Sequence, residues 1–179
     1  MTKDCGNREE RNTGKNKTVL KVEDFRLCFN GRFGAVHAVR DANLEVRRGE
    51  IVALVGESGC GKTALCRAIL MLHSAHARYL SGRILLDGRD VRTCSEREME
   101  QIRGKAASLV FQNPLSSLNP VYRIREQLEE PIRRHLGMKE PGALEARSRE
   151  LLLEMGLKEP EEILKKYPHQ LSGGQRQRV

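Results

Sequence analysis

The stretch Gly56-Glu57-Ser58-Gly59-Cys60-Gly61-Lys62-Thr63 fits the pattern G-x-x-x-x-G-K-[ST] of a phosphate-binding loop. It follows residues 51–55, an apolar run rich in β-branched side chains that predicts a buried strand. It precedes residues 64–72, which lack Gly and Pro and predict a helix. A glycine loop between a strand and a helix is the setting in which this pattern binds phosphate groups.

The residue types at positions 56–63 suit a bound polyphosphate, and all eight are candidates for nucleotide binding. The three glycines allow positive φ and a close approach of the backbone to a ligand, because no Cβ intervenes. Successive N–H groups then converge on anionic oxygens at a helix N-terminus. Lys62 is expected to reach the β- and γ-phosphates, and the Thr63 hydroxyl to bind Mg²⁺. The alternative is an ordinary glycine turn before a core helix.

The composition is typical of a soluble globular protein. A length of 179 residues predicts one domain, or one domain with a small subdomain. The net charge of +8 indicates either a solvated basic surface or contact with anions such as nucleotide phosphates, acidic lipids or nucleic acid. Aromatic residues are only 4% and Trp is absent, so stacking platforms for nucleic acid are not evident.

Cysteines and histidines offer little sign of a disulfide framework or a metal centre. The five cysteines are odd in number and contain no C-x-x-C pair, which predicts reduced thiols in a cytosolic protein. His73 and His76 are spaced to share a helix face, but no further ligand type stands nearby in sequence. No apolar run approaches the ~18–20 residues needed to span a bilayer.

Before the loop, the chain predicts a tail and two strands. Residues 1–17 are polar and predict a disordered tail. Residues 18–29 alternate in part, with an irregularity expected near Glu23-Asp24. A turn at Asn30-Gly31 and a second loose alternation over 36–48 complete a predicted antiparallel meander.

After the loop helix, strands and helices continue to alternate up to Gln112. A polar connection is expected over 74–81 and a short strand over 82–88. Ser95 and Glu98 match a capping box, which predicts a short helix to about Arg103. Residues 106–111 predict a second buried strand.

Residues 113–171 predict a helical subdomain inserted into the alternating pattern. A helical stripe covers 123–136, with a kink or two short helices expected at Pro131. A second helix is predicted over 143–155 with Gly156 as its stop, and a short one over 161–167. The predicted divisions are therefore 18–112 for the meander and loop core, 113–171 for the helices, and 172–179 for the start of a last helix.

A second anchor follows at Leu171-Ser172-Gly173-Gly174-Gln175. Ser172 is a good N-cap, and the two glycines let backbone amides face an anion at a helix start. The alternative is a flexible Ser-Gly turn.

The phosphate loop, Gln112 after a strand, and L-S-G-G-Q together resemble the ATP-binding cassette (ABC) transporter ATPases, from Val19 to Val179. The resemblance implies an α/β fold: a RecA-like P-loop NTPase core, an N-terminal antiparallel meander and an inserted helical subdomain. It implies ATP and Mg²⁺ as cofactors, with Lys62 and Gln112 in catalysis and Thr63 and Gln112 near the metal. Phe29 and Phe33 are alternative candidates for stacking on adenine.

In the ABC family, L-S-G-G-Q is the signature motif, and the resemblance implies that it binds the ATP of a partner subunit. Leu171, Ser172, Gly173, Gly174 and Gln175 are expected to act in trans on an ATP held by a second ATPase subunit. The working unit would then be a head-to-tail dimer, either homo- or heterodimeric.

A narrower resemblance comes from Val39-Arg40-Asp41 and from the stretch F-Q-N-P-L-S-S-L-N-P at 111–120. Both are similar to the oligopeptide, dipeptide and nickel importer ATPases. This implies a peripheral subunit at the cytoplasmic face of the cell membrane. It would contact a permease through the region after Gln112 and an extracytoplasmic substrate-binding protein indirectly, with no nucleic-acid partner.

The family pattern continues beyond the signature helix with a strand that ends in Asp, followed by a general-base Glu. Neither falls in this sequence, which stops at Val179, so the C-terminal part of the cassette is absent. ATP hydrolysis is therefore expected of a longer family product rather than of these residues alone. The alternative is a truncated, non-hydrolysing nucleotide-binding fragment or a gene remnant.

Overall fold

The computed structural model describes residues 17–31, 34–73, 75–111 and 117–179. Within it the chain forms two compact units, which divide between Leu109 and Val110. The predicted tail lies outside the described residues except for Lys17. That residue accepts a hydrogen bond from the Arg48 N–H at its carbonyl oxygen and pairs with Asp87 through its side chain.

The first unit contains a four-stranded sheet in the order β2-β1-β3-β4. Its strands are β1 (Thr18–Gly31), β2 (Gly34–Arg47), β3 (Ala77–Leu86) and β4 (Arg89–Asp90). Every pairing is antiparallel, which confirms the predicted meander. The expected polar connection after the loop helix is shorter than predicted, because β3 begins at Ala77 and pairs along β1.

The pairing of β1 with its neighbours shifts register at several places, and two of these irregularities bear on the prediction and the site. The first is at the predicted place, where Asp24 has a φ of 45° and the β1–β2 pairing skips between Val22 and Phe25. The second was not predicted: Leu27 pairs with Val39 and the next residue of β1 pairs with residue 37. Ala38 is thus the extra residue of a β-bulge in β2.

Two helices cover one side of the sheet and close the core of the first unit. They are α1 (Lys62–Ile69) and α2 (Glu96–Ile102). The predicted capping box of α2 is present: the Glu98 N–H donates to Ser95 Oγ, and the Ser95 N–H donates to the Glu98 carboxylate at 2.8 Å. The hydrogen bonds that the Ser95 N–H and hydroxyl donate to the carboxylate lower the pKa of Glu98. The buried core includes Val22, Phe25, Leu27, Leu65, Ala68, Ile84, Val91 and Met99.

The two predicted buried strands at 51–55 and 106–111 are wrong. Ile51 and Val55 are 97% and 92% exposed, and Val110 is 93% exposed. Apart from one bridge between Arg103 and Ala107, neither segment pairs with another described strand. An apolar run becomes a buried strand only where neighbouring strands and helices cover it. The described residues supply no such neighbours.

The second unit is helical and has its own core. Its helices are α3 (Ile124–Leu136), α4 (Pro141–Glu154), α5 (Pro160–Lys165) and α6 (Gly173–Arg178). The core side chains are Ile124, Leu152, Leu157, Ile163, Leu164 and Leu171. No helix among the described residues of either unit is long and apolar enough to cross a membrane.

Helix α3 runs unbroken through Pro131, so the expectation of two short helices is wrong. A proline inside a helix costs about 3 kcal/mol. Ile124 and Ile132 lie on either side of it and are both buried. Burying two such side chains contributes roughly 1.5–3 kcal/mol each, which offsets the cost.

Helix α4 ends as the sequence predicts, at Gly156. This glycine has a φ of 69° and donates its N–H to the Leu153 carbonyl oxygen. The next N–H, of Leu157, donates to the Leu152 carbonyl oxygen at 2.9 Å. The two bonds form a Schellman motif. Its hydrophobic contact belongs to the core, because Leu152 and Leu157 are both buried there.

Candidate functional site

The glycine loop leads from the exposed run 51–55 into α1, in the conformation that its glycines allow. Gly59 and Gly61 have φ values of 84° and 93°. Gly61 is the N-cap of α1 and accepts a hydrogen bond from the Leu65 N–H at 2.9 Å. The first N–H groups of a helix have no partner within it. The loop therefore presents donors at a helix N-terminus, where an anion is favoured.

The Lys62 ammonium lies inside the loop. Its Nζ atom donates to the carbonyl oxygens of Gly56 and Glu57, each at 2.7 Å, and to Cys60 Sγ at 3.2 Å. An ammonium group has three N–H donors, so these three acceptors use all of them. A phosphate that binds here must displace at least one of these acceptors from Lys62.

Thr63 follows in the first turn of α1, and its side chain is exposed. A hydroxyl at this position offers the oxygen ligand that Mg²⁺ prefers. When bound, Mg²⁺ would neutralise charge on the phosphates of a nucleotide. The exposed hydroxyl of Thr63 is thus of a ligand type that fits this ion.

Gly61 packs against the bulge of β2. A Cβ added to Gly61 would stand nearer than 3.0 Å to the carbonyl oxygen of Ala38. Real Cβ atoms essentially never approach a backbone atom so closely. The bulge thus determines where the loop sits on the sheet, and only glycine fits at the contact.

Phe29, one candidate for stacking on a base, lies near the end of β1. Its backbone pairs with Val36 of β2 and Ala77 of β3. Its side chain is half-buried and packs against the core of the first unit. The other candidate, Phe33, and the candidate catalytic and metal-binding residue Gln112 lie outside the described residues.

In the second unit, the motif at 171–175 begins with a buried leucine and continues into the exposed start of α6. Leu171 is buried in the helical core. Ser172 caps α6 with both bonds of a capping box: its Oγ accepts from the Gln175 N–H at 3.2 Å, and the Gln175 side chain accepts from the Ser172 N–H at 3.0 Å. Gly173 and Gly174 are exposed, with open space where a Cβ would be. The capping bond uses Ser172 Oγ as an acceptor, so its O–H remains able to donate to an anion.

Comparison with known families shows the family of this chain. The family model described as ABC transporter matches residues 39–179, which include the glycine loop and the motif at 171–175. This chain belongs to the ABC transporter family.

Curated relatives of this ABC protein are named for transport. The peptidoglycan transport ATP-binding protein YejF of Agrobacterium fabrum is 44% identical over 174 residues, which cover 96% of this chain and 31% of that protein. The dipeptide transport ATP-binding protein DppD of Bacillus subtilis is 40% identical over 162 residues, covering 90% of this chain and 48% of that protein. The chain thus spans from just under a third to just under a half of the length of these relatives.

Solved ABC cassettes share the fold. A dimeric cassette in a post-hydrolysis state with bound ADP and Pi superposes with a TM-score of 0.73 at 26% identity, covering 89% of this chain and 66% of that one. The protein cbiO1 of Clostridium perfringens, part of the ABC transporter complex cbiONQ, gives a TM-score of 0.64 at 26% identity, covering 91% of this chain and 59% of that one. The predicted α/β cassette fold is confirmed by these likenesses.

Two residues that the sequence analysis did not connect with the glycine loop lie against it or against its helix α1. One is Ala38, whose carbonyl oxygen faces Gly61. The other is His73, considered above only for metal binding, whose Nε2 lies 2.9 Å from the carbonyl oxygen of Ala64 in α1. Neither has a signature in sequence, because the bulge at Ala38 depends on strand register and the His73 bond depends on how the chain turns back after α1.

Cys60 should react with alkylating agents faster than the buried thiol of Cys28. Its side chain is exposed, and the hydrogen bond from the Lys62 ammonium lowers its pKa, so more thiolate is present at neutral pH. Mass spectrometry after brief iodoacetamide treatment measures labelling at each site. Bound ATP should slow labelling of Cys60, and so should Lys62→Ala. Equal rates in Lys62→Ala and the unmodified chain would show that Lys62 does not activate the thiol.

Proposed function

We propose that this chain is the ATP-binding subunit of an ABC importer, in which ATP binding and hydrolysis drive the uptake of peptides or nickel. The observation that supports it best is the glycine loop itself, which holds the Lys62 ammonium beside an exposed Thr63 at the start of a helix. The transport names of the relatives support the importer class.

The residues of the loop would divide the work of binding MgATP. Lys62 exchanges its contacts with the Gly56 and Glu57 carbonyls for the β- and γ-phosphate oxygens. The other positions from 56 to 61 would supply backbone N–H groups to the phosphates, and Thr63 would hold Mg²⁺. Phe29 or Phe33 would stack on the adenine, and Gln112 would help to hold Mg²⁺ and the attacking water. Hydrolysis itself is a property that we propose for the assembled transporter.

The signature residues would complete a second site across a head-to-tail dimer. The Ser172 hydroxyl is exposed and still able to donate, and Gly173 and Gly174 leave the backbone open to a ligand. A bound γ-phosphate on a partner subunit would meet these groups. The dimeric solved relative supports an assembly of this kind.

The permease contact is proposed for the segment after Gln112. Val121 and Tyr122 are exposed apolar side chains just before α3. Gln127 holds this segment by donating to the carbonyl oxygens of Asn119 and Tyr122 at 3.0 and 2.9 Å. A defined, exposed apolar turn suits docking on a membrane subunit, which would place the protein at the cytoplasmic face of the cell membrane. A substrate-binding protein would then act only through the permease.

Displacement of a fluorescent ATP analogue by MgATP tests nucleotide binding directly. We expect the analogue to bind to the chain saturably. Removal of Mg²⁺ by chelation should weaken the binding of the analogue and the binding of ATP to the same extent. Native circular dichroism without saturable binding would overturn the proposed function.

Replacing Ser172 should weaken ATP-dependent dimer formation without changing ATP affinity in the monomer. Ser172→Ala also removes the cap of α6, at a cost of about 1 kcal/mol, whereas Ser172→Gly keeps most of the capping preference. The glycine variant is therefore the matched control for folding. Analytical ultracentrifugation with and without ATP measures the dimer, and fluorescence titration measures monomer affinity. A fall in monomer affinity in Ser172→Gly would contradict a role in trans.

A further inference from the structure

A cluster of aromatic rings lies between the end of β1 and the start of α1. The rings of Phe29 and His73 have centroids 5.3 Å apart and stand at 75° to each other. The ring centroid of Tyr79 in β3 lies 6.0 Å from that of His73 and 5.8 Å from that of Phe25. His73 is therefore the ring that connects Phe29 to the rest of the cluster.

His73 is also bonded to the phosphate-loop helix. Its Nε2 lies 2.9 Å from the carbonyl oxygen of Ala64, the residue directly after Thr63. A carbonyl oxygen only accepts, so Nε2 carries the proton and donates. Burial lowers the pKa of this ring, which keeps it neutral at neutral pH. One imidazole thus joins the first turn of α1 to Phe29.

The contact with His73 matters for Phe29 because the backbone and the ring of Phe29 are held in different ways. Its backbone is held on both sides, by Val36 of β2 and Ala77 of β3. Its side chain is half-buried, so the orientation of its ring depends on the side chains that pack against it. The near-perpendicular ring of His73 is one of these neighbours, and edge-to-face pairs favour a defined geometry.

We propose that His73 is a positioning residue, which holds the ring of Phe29 at a set distance from the phosphate loop so that a purine base and its phosphates fit together. This inference rests on the proposed function, with Phe29 as the base-stacking side chain. Two contacts carry it: the ring pair with Phe29 and the hydrogen bond to Ala64. His73 would thus affect recognition of the base and leave the phosphate contacts of the loop unchanged.

Parallel titrations of the full chain with MgATP and with magnesium tripolyphosphate, which has no base, test the proposal. In His73→Ala we expect ATP affinity to fall about five- to tenfold, the scale of an aromatic pair. Tripolyphosphate affinity should stay within about twofold. His73→Phe keeps a ring beside Phe29, and His73→Gln keeps a donor for Ala64. Each should restore part of the ATP affinity. The matched control is His76→Ala, because His76 is exposed on the same connection.

A double-mutant cycle separates positioning from general damage. In a Phe29→Leu background, His73→Ala should have little further effect on ATP affinity, because its target is gone. An equal loss in both backgrounds would overturn the proposal, as would parallel losses of ATP and tripolyphosphate. If His73→Ala does not fold, the folded His73→Gln and His73→Phe variants are compared by the same criteria. Failure of the unmodified chain to bind either ligand would refute the proposed function instead.

Discussion

Lys62→Ala is expected to weaken MgATP binding by about 10- to 100-fold. A hydrogen bond to a charged group contributes roughly 1.5–3 kcal/mol, and the ammonium lies where the phosphates would bind. The protein should remain folded. The carbonyl groups that Lys62 releases, on Gly56 and Glu57, are in an exposed loop and can bond to water. Isothermal titration with MgATP measures the loss.

Lys105→Ala is the matched control for this change. Lys105 is an exposed lysine of the same unit, so its removal lowers the net charge equally without touching the loop. Its ATP affinity should match that of the unmodified chain. If the two lysine variants lose affinity to the same extent, the effect is one of overall charge and Lys62 has no direct role.

Gly61→Ala is expected to lower the free energy of unfolding of the first unit by about 2–5 kcal/mol and to abolish ATP binding. The positive φ of 93° costs an alanine about 1–2 kcal/mol. The new Cβ would also press on the Ala38 carbonyl oxygen, and overpacking of this kind costs about 1–3 kcal/mol. Relief of the contact requires the loop to leave the bulge of β2. Chemical denaturation followed by circular dichroism measures the stability.

Gly88→Ala separates these two causes. Gly88 has a φ of 83° in the turn between β3 and β4, and its missing Cβ faces open space. This variant should bear only the backbone cost and should bind ATP normally. Equal destabilisation in the two variants would mean that contact with Ala38 is unimportant. Gly61→Ala should otherwise be the less stable by about 1–3 kcal/mol.

Features that depend on a few neighbouring residues were predictable from the sequence. The capping box at Ser95 and Glu98 and the cap at Ser172 are present because each needs only side chains within three positions. The stop at Gly156 is similar, since positive φ favours glycine wherever the helix ends. The irregularity near Asp24 was also visible, as a break in the alternation of β1.

Features that depend on distant residues were not predictable. The run at 51–55 has every local property of a buried strand, yet Ile51 and Val55 are almost fully exposed. Burial of a strand comes from partners elsewhere in the chain, which a local pattern does not supply. In helix α3 the local pattern failed in the other direction: Pro131 predicted a kink or a break, but the burial of Ile124 and Ile132 keeps the helix continuous.

The sequence by itself was enough to predict the ABC family, the glycine loop with Lys62, and the cap at Ser172; the family and the cap are confirmed. These predictions follow from residue types at fixed spacing, so one short segment is enough for each. Only the tertiary structure decided how the loop and its helix are held: Gly61 against the bulge at Ala38, and His73 between Ala64 and Phe29. The contacts of Gly61 with Ala38 and of His73 with Phe29 join positions that are far apart along the chain, so no local pattern encodes them.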